Sequence, residues 1–240
     1  MNPRVEVYSR DKINKKYAKF LKGKRVALIG PANKTKGTLQ GEMIDSYDIV
    51  VRMNLGFKAP AKIQKDVGKR LDILYCSLSN WYFDTKIFTK KRILELKKER
   101  NLKWFIGTGV HREAILKLAS YNKSVKAGLK IRQVSRSDFK KIKSKLKSKP
   151  SAGIVAIQDL LRHDISELYI SGFTFYNYKV PKSEGRNSYY YSGYNPGYKA
   201  HAGGVYNHNL KGEAKIVKKI CKLDGRVKTD KILENILEEL

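Results

Sequence analysis

A histidine and a glutamate lie close together near the carboxyl end of the chain, as His208 and Glu213 in the stretch "HNLKGEAKIVKKI". Histidine is the usual general base near neutral pH. His208 precedes a stretch with helical periodicity, and Glu213 could cap or orient the start of that helix. A histidine that immediately precedes a helix is often a plain capping residue. The interpretation of His208 as a general base therefore depends on the other motifs of the chain.

A second group consists of small residues at the start of an apolar helix. In "KPSAGIVAIQDLLRHDISELYISGF", Ser151 is a natural N-cap, and Ala152 and Gly153 follow it. The first turn of a helix presents N–H groups and the positive end of the helix dipole, which together attract anions. Capping by Ser151 and binding of an anion are compatible, so the sequence leaves both open.

A third group surrounds a loop near the start of the chain. The stretch "RVALIGPANKTKGTLQGEMIDSYDIVVRMN" predicts a strand, a loop over 30–37, a short helix and a second strand. Gly30 lets the backbone approach a ligand closely, and Asn33 offers hydrogen bonds. The loop has neither the GxGxxG spacing nor the GK[ST] of a phosphate-binding loop. Arg52 and Asn54 end the second strand, either as a pair that holds a base or ribose edge or as a terminus facing water.

Alternating apolar runs and amphipathic stretches predict an α/β fold, with a mostly parallel Rossmann-like sheet and helices on both faces. The predicted strands are Arg25–Ile29, Asp48–Arg52, Leu71–Cys76, Lys103–Gly107, Lys130–Val134 and Glu167–Ser171. The predicted helices are Lys86–Arg100, Arg112–Tyr121, Asp138–Lys147, Ile154–His163, Leu210–Leu223 and Thr229–Leu240. We expect one domain over 1–240, with a basic extension over 1–23 and a Tyr/Gly-rich active-site loop over 174–207.

The composition narrows the class of protein. The formal net charge of +29 has three possible interpretations. The protein binds nucleic acid, it is attracted to an anionic membrane surface, or its lysine-rich composition has no specific role. The lysines are spread over most predicted helices, which argues against one dedicated groove. The two cysteines, Cys76 and Cys221, indicate a reducing compartment and no zinc site. No apolar run reaches the length of a membrane span, and the first residues do not form a signal peptide.

Taken together, the three groups resemble glycosyltransferase family 29, the animal-type sialyltransferases. The family's large motif reads like "C-A-V-V-G-N-S-G … I-D-S-H-D-x-V-x-R-M-N", and "VALIGPANKTKGTLQGEMIDSYDIVVRMN" is similar to it. "DVGKRLDILY", which starts at Asp66, resembles the stretch just downstream. The small motif, "P-S-S/T-G … G-F", is similar to Pro150–Gly153 and Gly172–Phe173. The very small motif, H-x4-E, matches His208 and Glu213.

This resemblance implies a variant GT-A glycosyltransferase fold, a CMP-sialic acid donor and an inverting transfer that needs no cofactor and no metal. His208 would be the general base, with Glu213 beside it in the catalytic pair. The Tyr189–Tyr191 cluster resembles a further family motif and would help bind the donor phosphate. The donor-binding set implied in this way comprises Gly30, Asn33, Asn54, Ser151, Ala152, Gly153, Gly172, Tyr189, Tyr190 and Tyr191.

Three departures from the family pattern bear on the prediction. The cysteines that join the large and small motifs in the family are Val26 and Ile165 here, as expected where packing replaces a disulfide. Pro31 stands in place of an asparagine that normally contacts the nucleotide, and Asn33 is the substitute that we expect. The family's membrane anchor is missing from the sequence. We therefore expect a bacterial or viral soluble member in the cytoplasm.

The sequence does not decide the identity of the donor sugar, the acceptor or the other binding partners. CMP-Kdo carries the same leaving group on a similar 2-keto acid, so it is the alternative donor. The acceptor is expected to be a glycan or glycolipid, with peripheral attachment to an anionic membrane surface and no specific nucleic acid. A basic nucleic-acid-binding module and an inactive relative that only binds a nucleotide are the competing classes. His201 is a second, lower-ranked candidate base, and His111 and His163 are expected to be surface or helix-end residues.

Overall fold

One parallel sheet forms the centre of the molecule. The computed structural model describes residues 15–109, 112–175 and 208–240. Within them, seven strands lie in the order β5-β4-β3-β2-β1-β6-β7, and every neighbouring pair is parallel. The strands are β1 (Arg25–Ile29), β2 (Ile49–Met53), β3 (Ile73–Cys76), β4 (Trp104–Gly107), β5 (Lys130–Gln133), β6 (Glu167–Ser171) and β7 (Val227–Thr229).

Helices cover both faces of the sheet, which confirms the predicted fold class. One face carries α1 (Lys15–Leu21), α7 (Arg136–Leu146), α8 (Ala152–Leu161), α9 (Leu210–Leu223) and α10 (Lys231–Glu238), whose apolar residues share one core cluster. The other face carries α2 (Gly41–Asp45), α3 (Gln64–Val67), α4 (Trp81–Asp84), α5 (Lys90–Arg100) and α6 (Arg112–Ser124). Since both faces are covered, the inner strands β1, β2, β3, β4 and β6 are mostly apolar and almost wholly buried, whereas the edge strands β5 and β7 are polar and partly exposed.

The strand order places a crevice beside β1. The chain runs from β1 through β2 to β5 on one side and then returns to place β6 on the other side of β1. In open α/β sheets, ligands bind beyond the carboxyl ends of the strands where the strand order reverses in this way. The loops after β1, β2 and β6 therefore meet at the edge where a site is expected.

Most predicted elements lie where the sequence placed them. The bounds of β1, β6 and α9 are as predicted, and the other bounds differ by a few residues. β7 was not predicted, and it takes Thr229 from the start of the predicted helix Thr229–Leu240. This strand exists because its residues pair with Leu168 to Ile170 of β6, a contact that a short segment does not reveal by its own pattern.

The amino-terminal helix is part of the core. Within the predicted extension over 1–23, Tyr17 and Leu21 of α1 are fully buried. The Tyr17 hydroxyl lies 2.8 Å from that of Tyr75, which donates to the Asp159 carboxylate at 2.6 Å. Arg132 pairs with the same carboxylate. This buried polar network fixes α1, β3, β5 and α8 to one another.

Three features of the described residues bear on the predictions about cysteines and membrane spans. Cys76 and Cys221 are free thiols. Val26 and Ile165, at the positions of the family's disulfide, are both buried in the core cluster that carries α8. Within the described ranges, every helix is too short or too polar to cross a bilayer.

Candidate functional site

The loops after β1 and β6 contact each other through two glycines. A Cβ atom on Gly30 would overlap the carbonyl oxygen of Gly172 and lie 2.6 Å from its carbonyl carbon. Gly30 N donates to Ser171 O at 2.7 Å, and Ala32 N donates to Gly172 O at 3.3 Å. Gly172 has a φ of +71°, which side-chain-bearing residues rarely adopt. The close approach that the sequence assigned to Gly30 is therefore made to the turn after β6.

The amino terminus of α8 lies against the ends of β2 and β6. Ser151 is its N-cap, as predicted, and its hydroxyl accepts from Ile154 N at 3.4 Å. A Cβ on Gly153 would lie 2.7 Å from Phe173 Cε1 and 3.4 Å from Met53 Sδ. Because Gly153 lacks a side chain, the first turn of α8 packs directly beside the Gly30–Gly172 contact. This arrangement brings a helix amino terminus to the crevice.

Glu213 connects α9 to the start of α8. Its carboxylate is 1% exposed and accepts from Ser151 N at 2.7 Å and from Ser151 Oγ at 2.5 Å. Burial raises the pKa of Glu213 above its ordinary value, while the two bonds from Ser151 act in the opposite direction. Glu213 thus positions the start of α8, rather than capping its own helix as one interpretation of the sequence suggested.

His208 lies beside the same helix start. Its Nδ1 is 2.6 Å from Lys149 O, and a carbonyl oxygen can only accept a hydrogen bond. Nδ1 therefore carries a proton, so in the neutral ring Nε2 holds the lone pair. Asn209, not His208, caps α9, since its Oδ1 accepts from Gly212 N at 2.9 Å. The interpretation of His208 as a plain capping residue is wrong for this reason.

Asn209 also fixes where His208 stands. Its backbone N donates to Ser148 Oγ at 2.9 Å, and its side-chain amide donates to Leu146 O at 3.1 Å. The start of α9 is therefore joined to the segment between α7 and α8, and Lys149 of that segment holds the imidazole. The base candidate and the anion-binding candidate are held by one short stretch of backbone.

The polar residues that end β2 have separate roles. Asn54 has a φ of +47°, and its Oδ1 accepts from Ser77 N at 3.0 Å, which ties the end of β2 to the end of β3. Arg52 is only 2% exposed, and its guanidinium donates to the carbonyls of Val67 and Gly68 and to that of Arg70. The prediction that Arg52 either holds a nucleotide or faces water is wrong, because these buried carbonyls take up the side chain.

The structure brings most of the predicted set to one edge. Gly30, Asn33, Asn54, Ser151, Ala152, Gly153, Gly172, His208 and Glu213 all lie at or beside the carboxyl ends of β1, β2 and β6. Asn33 is half-buried in a single 3-10 turn. Tyr189, Tyr190 and Tyr191 lie outside the described residues, as do His111 and His201. His163 follows α8, as predicted, but it is buried rather than at the surface.

Asp230 and its partner Ser171 lie at this edge, and neither was identified as a site residue from the sequence. Asp230 is 3% exposed, and its Oδ2 accepts from Ser171 Oγ at 2.7 Å and from Gly172 N at 2.8 Å. An aspartate just before a helix is an ordinary N-cap signal, and Asp230 does accept from Leu233 N at 2.7 Å. That local signal was available, but it says nothing about Ser171.

Within the described ranges, no three His, Cys, Asp or Glu residues form a group that could hold a metal.

Comparison with known proteins identifies one family and one fold. The model of glycosyltransferase family 29 (sialyltransferase) matches residues 9–224. A mammalian sialyltransferase structure has a TM-score of 0.58 at 19% identity, over 87% of this chain and 69% of the other. The sialyltransferase CstII from Campylobacter jejuni, solved in complex with CMP-3FNeuAc, has a TM-score of 0.54 at 13% identity, over 89% and 85%.

A third structure, an alpha-2,3-sialyltransferase from Campylobacter jejuni in apo form, has a TM-score of 0.54 at 13% identity, over 95% of this chain and 82% of the other. At such identities the likeness concerns the fold, which is the parallel-sheet variant of the GT-A glycosyltransferase fold. The predicted fold class is confirmed. No curated protein matches the chain.

Proposed function

This chain belongs to glycosyltransferase family 29, the sialyltransferases, and on that premise we propose that it transfers sialic acid from CMP-sialic acid to a hydroxyl of a glycan or glycolipid. The transfer inverts the configuration at the anomeric carbon and needs no bound metal. The observation that carries the proposal is the position of His208, whose ring is held by Lys149 O beside the amino terminus of α8. A base and an anion-binding helix start are the two groups that such a displacement requires.

The base acts on the acceptor. Because Lys149 O holds the Nδ1 proton of His208, Nε2 takes the proton of the acceptor hydroxyl. The acceptor oxygen then forms a bond to the anomeric carbon as the bond from that carbon to the phosphate oxygen breaks. A single displacement of this kind inverts the configuration. The imidazolium that forms keeps its hydrogen bond to Lys149 O, which stabilises the added charge.

The leaving group is a phosphate that takes the bonding electrons. The N–H groups of the first turn of α8, at Ala152 and Gly153, present the positive end of the helix dipole to it. Glu213 keeps this turn in place by accepting both hydrogen bonds from Ser151. The Gly30 loop and Asn54 contact the cytidine, and the Tyr189–Tyr191 cluster assists at the phosphate. In this arrangement helix N–H groups and phenols neutralise the phosphate, so no metal is needed.

The first experiment measures CMP release at high salt from CMP-Neu5Ac or CMP-Kdo with a panel of galactosides. Removal of a general base costs about 10²- to 10⁴-fold in rate. We therefore expect His208→Ala to lose at least about a hundredfold in kcat, while its Kd for CMP stays within about twofold of the wild-type value. His201→Ala tests the lower-ranked candidate base in the same assay, and a loss of this size in His201→Ala instead of His208→Ala would assign the base to His201.

The outcomes separate the alternatives. Release from CMP-Kdo alone would replace sialic acid by Kdo as the transferred sugar. CMP binding without release from either donor would indicate an inactive relative. Neither release nor CMP binding, together with binding to nucleic acid that weakens steeply with salt, would overturn the proposal in favour of a basic nucleic-acid-binding module.

We also propose peripheral attachment to anionic membranes through α7 and α9. These helices meet beside His208, where Asn209 contacts Leu146 and Ser148. Their exposed lysines are Lys140, Lys141, Lys143, Lys145, Lys211, Lys215, Lys219 and Lys222. A lysine near an anionic bilayer contributes about 1 kcal/mol of attraction. Attachment on this side would bring the base close to a glycolipid acceptor.

Vesicle binding tests this attachment with a matched pair of variants. Replacement of Lys141, Lys143 and Lys145 of α7 by glutamate is expected to abolish binding to vesicles with anionic lipid. Replacement of the exposed Lys90, Lys91 and Lys98 of α5, on the opposite face of the sheet, changes the net charge equally and is expected to leave most binding intact. Equal losses in both variants would show that the charge acts without a defined surface.

A further inference from the structure

The carboxyl-terminal unit of the fold reaches into the edge where the donor site is expected. The family model ends at residue 224, whereas β7 and α10 follow it. The residue between them, Asp230, lies directly behind the turn that ends β6. This turn contains Gly172, one of the residues in the implied donor-binding set.

Asp230 makes three hydrogen bonds with its side chain and is almost fully buried. Oδ1 accepts from Leu233 N at 2.7 Å, which caps α10. Oδ2 accepts from Ser171 Oγ at 2.7 Å and from Gly172 N at 2.8 Å. The backbone N of Asp230 donates to Ile170 O at 3.0 Å. One buried carboxylate therefore joins the start of the last helix to the turn after β6.

The turn after β6 in its turn supports the loop after β1. Gly172 O accepts from Ala32 N, and Ser171 O accepts from Gly30 N. The two glycines are packed backbone against backbone, so a shift of one loop would bring it into collision with the other or break the bonds between them. The Asp230 carboxylate accepts hydrogen bonds from this turn and thereby fixes the position of Gly172. Because Gly30 packs against Gly172, the position of Gly30 is fixed as well.

We propose that Asp230 is a positioning residue of the donor site, holding the Gly30 loop through Ser171 and Gly172 at the distance that CMP requires. The proposal rests on the proposed function for the identity of the ligand, but not for the contact itself. It assigns to β7 and α10 a role in donor affinity rather than in the chemical step. Loss of the contact should therefore raise the donor KM and leave kcat nearly unchanged.

The alternative role for Asp230 is that of an N-cap only, and Asp230→Ser separates the two. Serine caps helices well, but its shorter side chain has a single oxygen. It therefore keeps the bond from Leu233 N and gives up the bonds from Ser171 and Gly172. The matched control is Thr89→Ala, which removes the cap of α5, whose Thr89 accepts from Arg92 N on the other face of the sheet.

Three measurements are made on the full chain. Hydrogen exchange is followed at the amides of Gly30, Ala32 and Gly172. CMP affinity is measured by calorimetry, with donor KM and kcat by CMP release. Because Asp230→Ser gives up the bonds from Ser171 and Gly172, we expect it to lower protection of these amides and to weaken CMP binding, by about tenfold each. Its kcat is expected within about threefold of the wild type. Thr89→Ala is expected to leave amide protection, CMP affinity, donor KM and kcat unchanged.

Each outcome decides the matter. Unchanged protection in Asp230→Ser would overturn the positioning role, whatever the activity. Lower protection with unchanged CMP affinity and unchanged donor KM would overturn the connection to the donor. Absence of CMP binding and turnover in the wild type would refute the proposed function, while the exchange measurement would still show whether Asp230 holds the two loops.

Discussion

Two buried carboxylates near the carboxyl end of the chain make nearly the same contact in different parts of the site. Glu213 accepts from the backbone N and hydroxyl of Ser151 at the start of α8. Asp230 accepts from the hydroxyl of Ser171 and the backbone N of Gly172 at the end of β6. In both, one buried carboxylate accepts from a serine hydroxyl and from a backbone amide, which is the serine's own at Glu213 and that of the next residue at Asp230.

The two contacts differ in what they hold. The Glu213 contact fixes a helix start beside His208, so it bears on the proposed base and on the phosphate. The Asp230 contact fixes two loops that are packed through glycines, so it bears on the expected nucleotide end of the donor. If the proposed function holds, similar hydrogen bonds support the chemical step in one region and ligand affinity in the other, because a helix start lies beyond Ser151 and a loop lies beyond Ser171.

The largest expected effect comes from the glycines next to the two contacts. Gly30→Ala places a methyl group against the backbone of Gly172, which cannot rotate away, and should cost about 3 kcal/mol of the free energy of unfolding. Gly153→Ala meets the Phe173 ring, a side chain that can shift, and alanine favours a helix over glycine by about 1 kcal/mol. Its cost should be below about 1 kcal/mol. Denaturant unfolding measures both.

Gly225→Ala is the control for these substitutions, because nothing lies within 4 Å of the position that its Cβ atom would take. Its stability should stay within about 0.5 kcal/mol of the wild type. Equal losses in the free energy of unfolding for Gly30→Ala and Gly153→Ala would mean that the two regions are equally rigid. The Gly172 backbone and the Phe173 side chain would then resist an added methyl group to the same extent.

An intermediate effect is expected from the two serines. Ser151→Ala removes the cap of α8 and one bond to the buried Glu213, for a loss of about 2 kcal/mol. Ser171→Ala removes one bond to Asp230, which still accepts from Gly172 N, for a loss of about 1 kcal/mol. In enzyme assays, Ser151→Ala should lower kcat, whereas Ser171→Ala should mainly raise the donor KM. The opposite division between kcat and KM would reverse the roles assigned to the two regions.

The smallest expected effect is a pH dependence specific to Glu213. Burial raises the pKa of its carboxyl above the ordinary value of 4.5. Between the ordinary and the raised value, the folded chain holds this proton more strongly than the unfolded chain, so the free energy of unfolding falls as the pH rises. The stability advantage of the wild type over Glu213→Gln should therefore be greatest below pH 4.5 and shrink above it.

Denaturant unfolding between about pH 4 and about pH 7 measures this difference. Thr89→Ala does not remove a titrating group, so its difference from the wild type should stay constant over the same range. A Glu213→Gln difference that grows with pH would mean that the bonds from Ser151, rather than burial, dominate the environment of the carboxyl.

Local sequence patterns predict the structure correctly where a segment carries its own signal. β1 and β6 are short apolar runs whose lengths match their buried stretches, and Ser151 is followed by an apolar helix that it caps. The family motifs also assigned His208, Glu213 and Ser151 to one expected site, and the structure brings them together. It did not show that Glu213 contacts Ser151, because that bond joins residues far apart in the chain.

Local patterns failed where a partner from elsewhere decides the outcome. Arg52 is polar and ends a strand, yet carbonyls of the β2–β3 connection take it into the interior. Val227–Thr229 is too short to show a strand pattern, and its pairing with β6 makes it a strand. Asp230 is an ordinary cap in the sequence, and only the position of Ser171 gives it a second role.

The sequence by itself determined the class of fold, the family and the residue types available at the site, since apolar periodicity, caps and motif spacing are local properties of the chain. The tertiary structure alone decided which carboxylate meets which serine, how closely Gly30 approaches Gly172, and where the imidazole of His208 is held. The reason is physical: a buried polar group must find a partner, and the partner is chosen by the packing of the sheet and not by the neighbours in sequence.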